Sequence, residues 1–230
     1  MKILVTNDDG FDAPGIDALF RICARLGQVV MVAPSAPQSG VGHAVTTSRP
    51  LELCEHGPDR YSLSGTPADC VRVALREVLP DADWVVAGIN AGGNLGADAY
   101  TSGTLAAVRE AALLGFSGLA VSQYIARRRP LDWEASARRA TPVLETVFAR
   151  GHQAGFYWNA NLPHPAEPAG VPRVVDAPLD TSPMLVRYRR EGDAFHWDGD
   201  YHGRPREAGS DVDICFSGAI SLTRLPLRLH

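Results

Sequence analysis

The chain has 230 residues, 45% of them apolar and 21% charged, which is enough apolar material for a sizeable core. Its 22 basic residues are 21 arginines and a single lysine, Lys2, ahead of the first strand. That removes Walker A loops, pyridoxal-phosphate enzymes, protein kinases and Ser-x-x-Lys hydrolases, each of which needs a lysine in the site. A net charge of −4 provides no basic field for a nucleic-acid polymer or an anionic membrane. No apolar stretch has the length of a membrane span, and Asp8 and Asp9 interrupt the N-terminus before a secretory signal can form, so the chain reads as cytoplasmic with small-molecule partners. Cys23, Cys54, Cys70 and Cys215 show no C-x-x-C pairing and read as reduced thiols, mostly buried, ahead of a zinc site or a disulfide framework.

In chain order, Ile3 to Thr6 is a short apolar strand run, followed by the turn cluster Asn7-Asp8-Asp9-Gly10. Helical spacing of Ile16, Leu19, Phe20 and Cys23 predicts a helix from about Pro14 to Leu26, with Gly27 as its cap. Val29 to Ala33 is a second strand run, and an extended loop of small and polar residues leads to Gly42. Strand-like pieces follow near 43–47, 50–54 and 61–63. Thr66, Pro67 and Asp69 then open a helix with Val71, Ala74, Leu75 and Val78 on one face. Trp84 to Gly88 is a buried strand ending in Asn90. The glycine-rich loop 91–96, a helix from Ser102-Gly103-Thr104 to Leu114 and a strand from Leu119 to Ser122 complete this half. Nearly continuous apolar strands alternating with helices predict an α/β fold: a mostly parallel, Rossmann-like sheet covered on both faces. Beyond it, Arg127-Arg128-Arg129 reads as a solvated loop, with a grip on an acidic substrate as the lesser alternative. Asp132 to Arg150 is an amphipathic helix despite Pro142, and short β-type runs beyond Asn161 suggest a smaller β-rich extension in roughly the last 60 residues. The expected division is a core of residues 1–155 and a 156–230 segment mixing core continuation with that extension.

The polar motifs fall at the carboxyl ends of the predicted strands, where ligands bind in such sheets. Adjacent carboxylates repel one another, so Asp8-Asp9 there suggests a hard divalent cation, with Ser39 and Asn90 as further oxygen donors; Asp-Asp-Gly is equally a common turn. Ser102-Gly103-Thr104 is either an anion site at a helix N-terminus or plain N-capping by Ser102. Gly92-Gly93-Asn94-Leu95-Gly96 either lets the backbone approach a ligand or is a flexible turn, and it is not a dinucleotide fingerprint. His43 is either an aid to a leaving group or a structural hydrogen-bonding residue. A haloacid-dehalogenase-type phosphatase would want Asp-x-Asp and a later phosphate-gripping lysine, whereas this chain offers adjacent Asp8-Asp9 and no lysine after Lys2, and a non-catalytic nucleotide-binding module is the reading from another class.

Taken together, Thr6-Asn7-Asp8-Asp9-Gly10 with Ala13-Pro14-Gly15, Gln38-Ser39-Gly40 with His43, Gly65-Thr66-Pro67-Ala68-Asp69-Cys70-Val71, Gly88-Ile89-Asn90-Ala91-Gly92 with Asn94-Leu95-Gly96, Ser102-Gly103-Thr104 and Trp158-Asn159-Ala160-Asn161-Leu162-Pro163 resemble the SurE survival protein family. The resemblance implies a metal-dependent nucleotidase acting on nucleoside 5′- and 3′-monophosphates. It implies one divalent ion per subunit, Mg2+ or Mn2+, held by Asp8, Asp9, Ser39 and Asn90. Asn94, Ser102, Gly103 and Thr104 would hold the phosphate, and Asp8, Asp9 and Asn94 would be the catalytic residues. It further implies a homodimer or homotetramer built through the β-rich extension, often by C-terminal exchange. At Ser221-Leu222-Thr223-Arg224-Leu225-Pro226-Leu227 the chain departs from the family's Ser-Ile-Thr-Pro-Leu, which leaves that exchange open.

Overall fold

The computed structural model describes residues 1–127, 129–164 and 170–227. Its centre is a nine-stranded, mostly parallel sheet in the order β3-β4-β2-β1-β5-β6-β7-β11-β8. The parallel part comprises β1 (Lys2–Thr6), β2 (Gln28–Pro34), β4 (Arg60–Leu63), β5 (Trp84–Ala91), β6 (Ser117–Gln123) and β7 (Phe156–Leu162). On one side, β3 (Leu53–Gly57) runs antiparallel to β4. On the other, β11 (Ile220–Pro226) runs antiparallel to β7 and parallel to β8 (Val174–Asp176). A separate antiparallel ribbon joins β9 (Tyr188–Glu191) and β10 (Ala194–Trp197).

Both faces of the sheet are covered, which is why its central strands read as unbroken apolar runs. Ile3 and Val5 pack with α1 (Pro14–Cys23) and α4 (Trp133–Arg150) on one face. Leu4, Val30 and Val32 point to the other, beneath α2 (Pro67–Val73) and α3 (Gly103–Leu113). Helix α3 is buried on most sides between Gly103 and Ala112, so its apolar residues are spread around it rather than confined to one stripe. The predicted α/β class is therefore observed. No helix among the described residues is long and apolar enough to cross a membrane. Cys23, Cys70 and Cys215 are buried free thiols and Cys54 is an exposed one.

Several boundaries differ from the sequence expectation. Helix α1 ends at Cys23, because the bonds from Arg25 N–H to Ile22 and Leu26 N–H to Cys23 tighten the chain into a turn. Gly27 does not cap it. A Cβ there would lie 2.2 Å from the Met1 carbonyl oxygen, so glycine lets the two segments pass. The segment 43–47 is not a strand, since the Ala44 carbonyl and the Thr46 N–H bond to the side chains of Thr66 and Asp69 instead of to a ladder. The piece at 50–54 forms as β3, displaced to Leu53–Gly57. Helix α2 continues into a wider π-type turn at Ala74–Val78, and a short helix, α5 (Asp211–Phe216), lies within the segment read as β-rich.

Strand β1 is flanked by β2 on one side and β5 on the other, so the chain order reverses beside it. The loops leaving the carboxyl ends of β1, β2 and β5 therefore meet at the crevice where doubly wound sheets bind ligands.

Candidate active site

Asp8 and Asp9 follow β1 directly. The Asn7 side chain closes the turn by donating to the Gly10 carbonyl at 2.8 Å and accepting from the Gly10 N–H at 3.2 Å. Asp8 is only 5% exposed, and its Oδ1 accepts from the Thr104 hydroxyl at 2.6 Å. Helix α3 can come this close because residue 103 is glycine: a Cβ there would lie 2.8 Å from the Asp8 Cβ and 2.9 Å from its Oδ2. Asp9 is half-buried, and its Oδ2 accepts from the Ala91 N–H at 2.9 Å at the end of β5. Burial pushes the Asp8 carboxyl up to about 6; the Thr104 hydroxyl opposes this and the Asp9 charge adds to it. Burial also raises Asp9, against the pull of the Ala91 N–H.

The loop after β2 crosses this carboxylate pair. Gln38 N–H donates to the Asp8 carbonyl at 2.7 Å, and Ser39, the next residue, is exposed. Asn90 is half-buried where the ladder from β5 to β6 shifts register between Gly88 and Asn90; its amide donates to the Gly92 carbonyl at 2.9 Å. Hydrogen bonds from Gln38 and Ala91 thus bring the neighbours of Ser39 and Asn90 onto Asp8 and Asp9. Among the described residues neither aspartate has a salt-bridge partner. No three His, Cys, Asp or Glu side chains converge there either, so a cation would draw on two carboxylates and neutral oxygens. Two adjacent carboxylates withdrawn from water without a basic partner, beside hydroxyl and carboxamide oxygens, fit a hard divalent ion.

Ser102 caps α3, its hydroxyl accepting from Leu105 N–H at 3.1 Å. The capping alternative is thus realised, and the first N–H groups of α3 have no acceptor within the helix, which keeps an anion site compatible with it. Asn94 is buried, its amide 2.8 Å from the Ser122 hydroxyl and 3.4 Å from that of Thr104. Asp8, Asn94, Gly103 and Thr104 therefore form one contiguous group. His43 is held in a hydrogen-bond network: its Nε2 lies 2.7 Å from Glu110, which is 2% exposed and also accepts from Arg72 at 2.6 Å, and Arg109 lies 3.5 Å from its Nδ1. Arg127 pairs with Asp200 and Arg129 donates to the His164 carbonyl at 2.7 Å, while Arg128 lies outside the described residues. Glu110, Ser122, Asn159 and Asn161 were not singled out for a role from the sequence. The available signal was polarity inside largely apolar elements: asparagines at alternate positions of Tyr157-Trp158-Asn159-Ala160-Asn161, and a glutamate beside Arg109 in a helix built mostly of apolar residues.

The family model described as Survival protein SurE matches residues 3–177. The chain belongs to the SurE family. A SurE relative from Brucella canis, named 5′-nucleotidase SurE, is 38% identical over 239 residues, covering 100% of this chain and 93% of its own. A protein of Nostoc sp. (strain PCC 7120), named as a candidate 5′-nucleotidase, is 47% identical over 225 residues, covering 98% of this chain and 99% of its own. The SurE crystal structure from Aquifex aeolicus matches with a TM-score of 0.90 at 31% identity, over 100% of this chain and 95% of that one. The SurE family model ends at Ala177, ahead of the β9–β10 ribbon, α5 and β11, whereas the match to the Aquifex structure spans them.

Proposed function

We propose that this SurE chain is a divalent-metal-dependent phosphomonoesterase that hydrolyses nucleoside 5′-monophosphates to nucleoside and phosphate, with 3′-monophosphates as a second substrate class. The observation that carries the reading is the pair Asp8 and Asp9, unpaired by any base among the described residues and abutting the N-terminus of α3 at Thr104. Relatives named 5′-nucleotidase across nearly the whole chain supply the substrate class.

Asp8, Asp9, Ser39 and Asn90 would hold one Mg2+ or Mn2+ ion. When bound, such an ion neutralises phosphate charge and lowers the pKa of water at the site. Asn94 and Ser102, with the free N–H groups at the start of α3 including that of Thr104, bind the phosphate oxygens and stabilise the charge that spreads over them during transfer. Asp8 orients the attacking water and accepts its proton, because its carboxylate is the more buried of the two and is aimed by Thr104. Asp9 serves mainly as a ligand. The crevice lacks a lysine, so main-chain N–H groups and the cation carry the anion recognition that lysine performs elsewhere.

We further propose a homodimer or homotetramer that uses the β9–β10 ribbon, where Tyr188, Phe195 and Trp197 are more than half exposed. Phosphate release from AMP and GMP with added Mn2+ or Mg2+, abolished by EDTA and by Asp8→Asn, tests the catalytic reading. Tight nucleotide binding without release would assign the chain to the non-catalytic binding class instead.

A further inference from the structure

Strand β7 presents two faces. Trp158, Ala160 and Leu162 belong to the apolar core with α1 and α4, whereas Asn159 and Asn161, both fully buried, alternate with them. The two carboxamides converge on the main chain of one residue, Asn94. Asn161 Oδ1 accepts from the Asn94 N–H at 2.8 Å, and its Nδ2 donates to the Asn94 carbonyl at 3.1 Å. Asn159 Nδ2 donates to the same carbonyl at 2.8 Å. A main-chain N–H needs an oxygen and a main-chain carbonyl needs an N–H, so the two carboxamides fit in one orientation only.

Asn94 sits in a glycine-rich loop with little regular structure to hold it, yet its side chain is aimed at Ser122 and Thr104. The polar side chains in β7 are not there for core packing. Asn159 Oδ1 and the hydroxyls of Ser221 and Thr223 on the neighbouring β11, which pair in register with Asn161 and Asn159, find no partner among the described residues. A strand chosen for packing would be apolar at these positions.

We propose that Asn159 and Asn161 are positioning residues that clamp the Asn94 main chain and so fix the aim of its carboxamide into the phosphate site. The clamp rests on the assignment of Asn94 to phosphate in the nucleotidase reading. It acts on phosphate affinity and leaves the carboxylate pair alone, since neither asparagine touches Asp8 or Asp9.

The test titrates inorganic phosphate calorimetrically into Mn2+-loaded protein for the wild type, Asn161→Ala, Asn94→Ala and the double variant, with thermal melting and Mn2+ binding measured in parallel. The clamp predicts that Asn161→Ala weakens phosphate binding roughly tenfold to hundredfold, the loss expected when one hydrogen bond to a charged group is broken, while Mn2+ binding stays at the wild-type level. In the Asn94→Ala background the same change produces no further loss, because its only route to phosphate has gone. A purely structural role would lower the melting temperature and weaken phosphate binding equally in both backgrounds, overturning the proposal. Wild-type phosphate affinity in Asn161→Ala, or no phosphate binding by the wild type at all, overturns it as well. If Asn161→Ala does not fold, Asn159→Ala, which removes a single bond, takes its place in the same cycle. A wild type that binds phosphate but releases none from nucleotides would sink the nucleotidase reading, and the titrations would still decide the clamp.

Discussion

At the scale of single residues, the site is set by how closely α3 approaches Asp8. The folded chain raises the Asp8 carboxyl from 3.8 to about 6, so the folded state binds that proton more tightly than the unfolded one. The stability this contributes is complete below pH 3.8 and is lost as pH rises through about 6. At neutral pH the metal-free protein therefore forgoes on the order of 3 kcal/mol at this residue. Asp8→Asn should melt higher than the wild type at pH 7 when both are in EDTA, the gap closing at pH 4, while its phosphate release from AMP falls by at least about a hundredfold. Adding Mg2+ or Mn2+ should raise the wild-type melting temperature at pH 7 and leave that of Asp8→Asn nearly unchanged. Equal melting curves for the two proteins in EDTA at pH 7 would contradict the burial of an uncompensated charge. Gly103→Ala tests the same approach from the other side, since its methyl would sit 2.8 Å from the Asp8 Cβ. Overpacking of this kind costs about 1–3 kcal/mol, and the displaced aspartate should lower kcat while the protein remains folded. Unaltered kinetics in Gly103→Ala would mean that the contact between α3 and Asp8 has no part in catalysis.

At the scale of elements, the loop between β2 and β3 is irregular, yet its middle is tied down by Gln38 to Asp8, His43 to Glu110, Ala44 to Thr66 and Thr46 to Asp69. Burial pulls the Asp69 carboxyl up, but hydrogen bonds from Thr46 and Thr66 outweigh it and hold the group below its usual range. Asp8 follows β1, Thr66 caps α2, and Asp69 and Glu110 lie on α2 and α3, so the end of β1 and the two helices together set where Ser39 stands. His43→Ala removes one anchor and should cost only about 1 kcal/mol, because Arg72 still pairs with Glu110. The metal concentration for half-maximal activity should nonetheless rise severalfold, and a metal dependence identical to the wild type would show that the loop needs no such tie. The same loop marks how far the sequence was legible. Strands β1, β2, β5 and β6 stand out because coverage on both faces makes them continuous apolar runs, and α3 is announced by its cap at Ser102. Residues 43–47 look like a strand only until their main chain is seen to bond to side chains more than twenty positions away. Helix α5, six residues long, is too short for periodicity to reveal. Asp8, Asp9 and Thr104 were legible as candidates because each closes a recognisable strand or opens a helix. Asn159 and Asn161 were not, since their meaning comes from bonds to Asn94 across 65 and 67 positions.

At the scale of the whole molecule, the polar crevice and the exposed apolar side chains belong to different elements. The crevice beside β1 gathers the polar loops, whereas the ribbon of β9 and β10 leaves Tyr188, Phe195 and Trp197 at 55%, 64% and 55% exposure, with Met184, Leu185 and Val186 exposed just ahead of it. A two-stranded ribbon alone is marginally stable in water, and among the described residues this one pairs with no strand of the main sheet. Its apolar side chains are those expected of an element that gains its stability by meeting a second copy of the chain. If the proposed homo-oligomer forms there, Phe195→Asp combined with Trp197→Asp should lower the mass measured by sedimentation to that of one chain. The melting temperature of the core should change little, because neither side chain belongs to the buried clusters under the sheet. Asp8 and Asp9 lie on loops that owe nothing to the ribbon, so the metal-dependent melting shift should persist in this variant. A wild type that sediments as a single chain at micromolar concentration, or a double variant that keeps the wild-type mass, would remove the ribbon from any role in assembly.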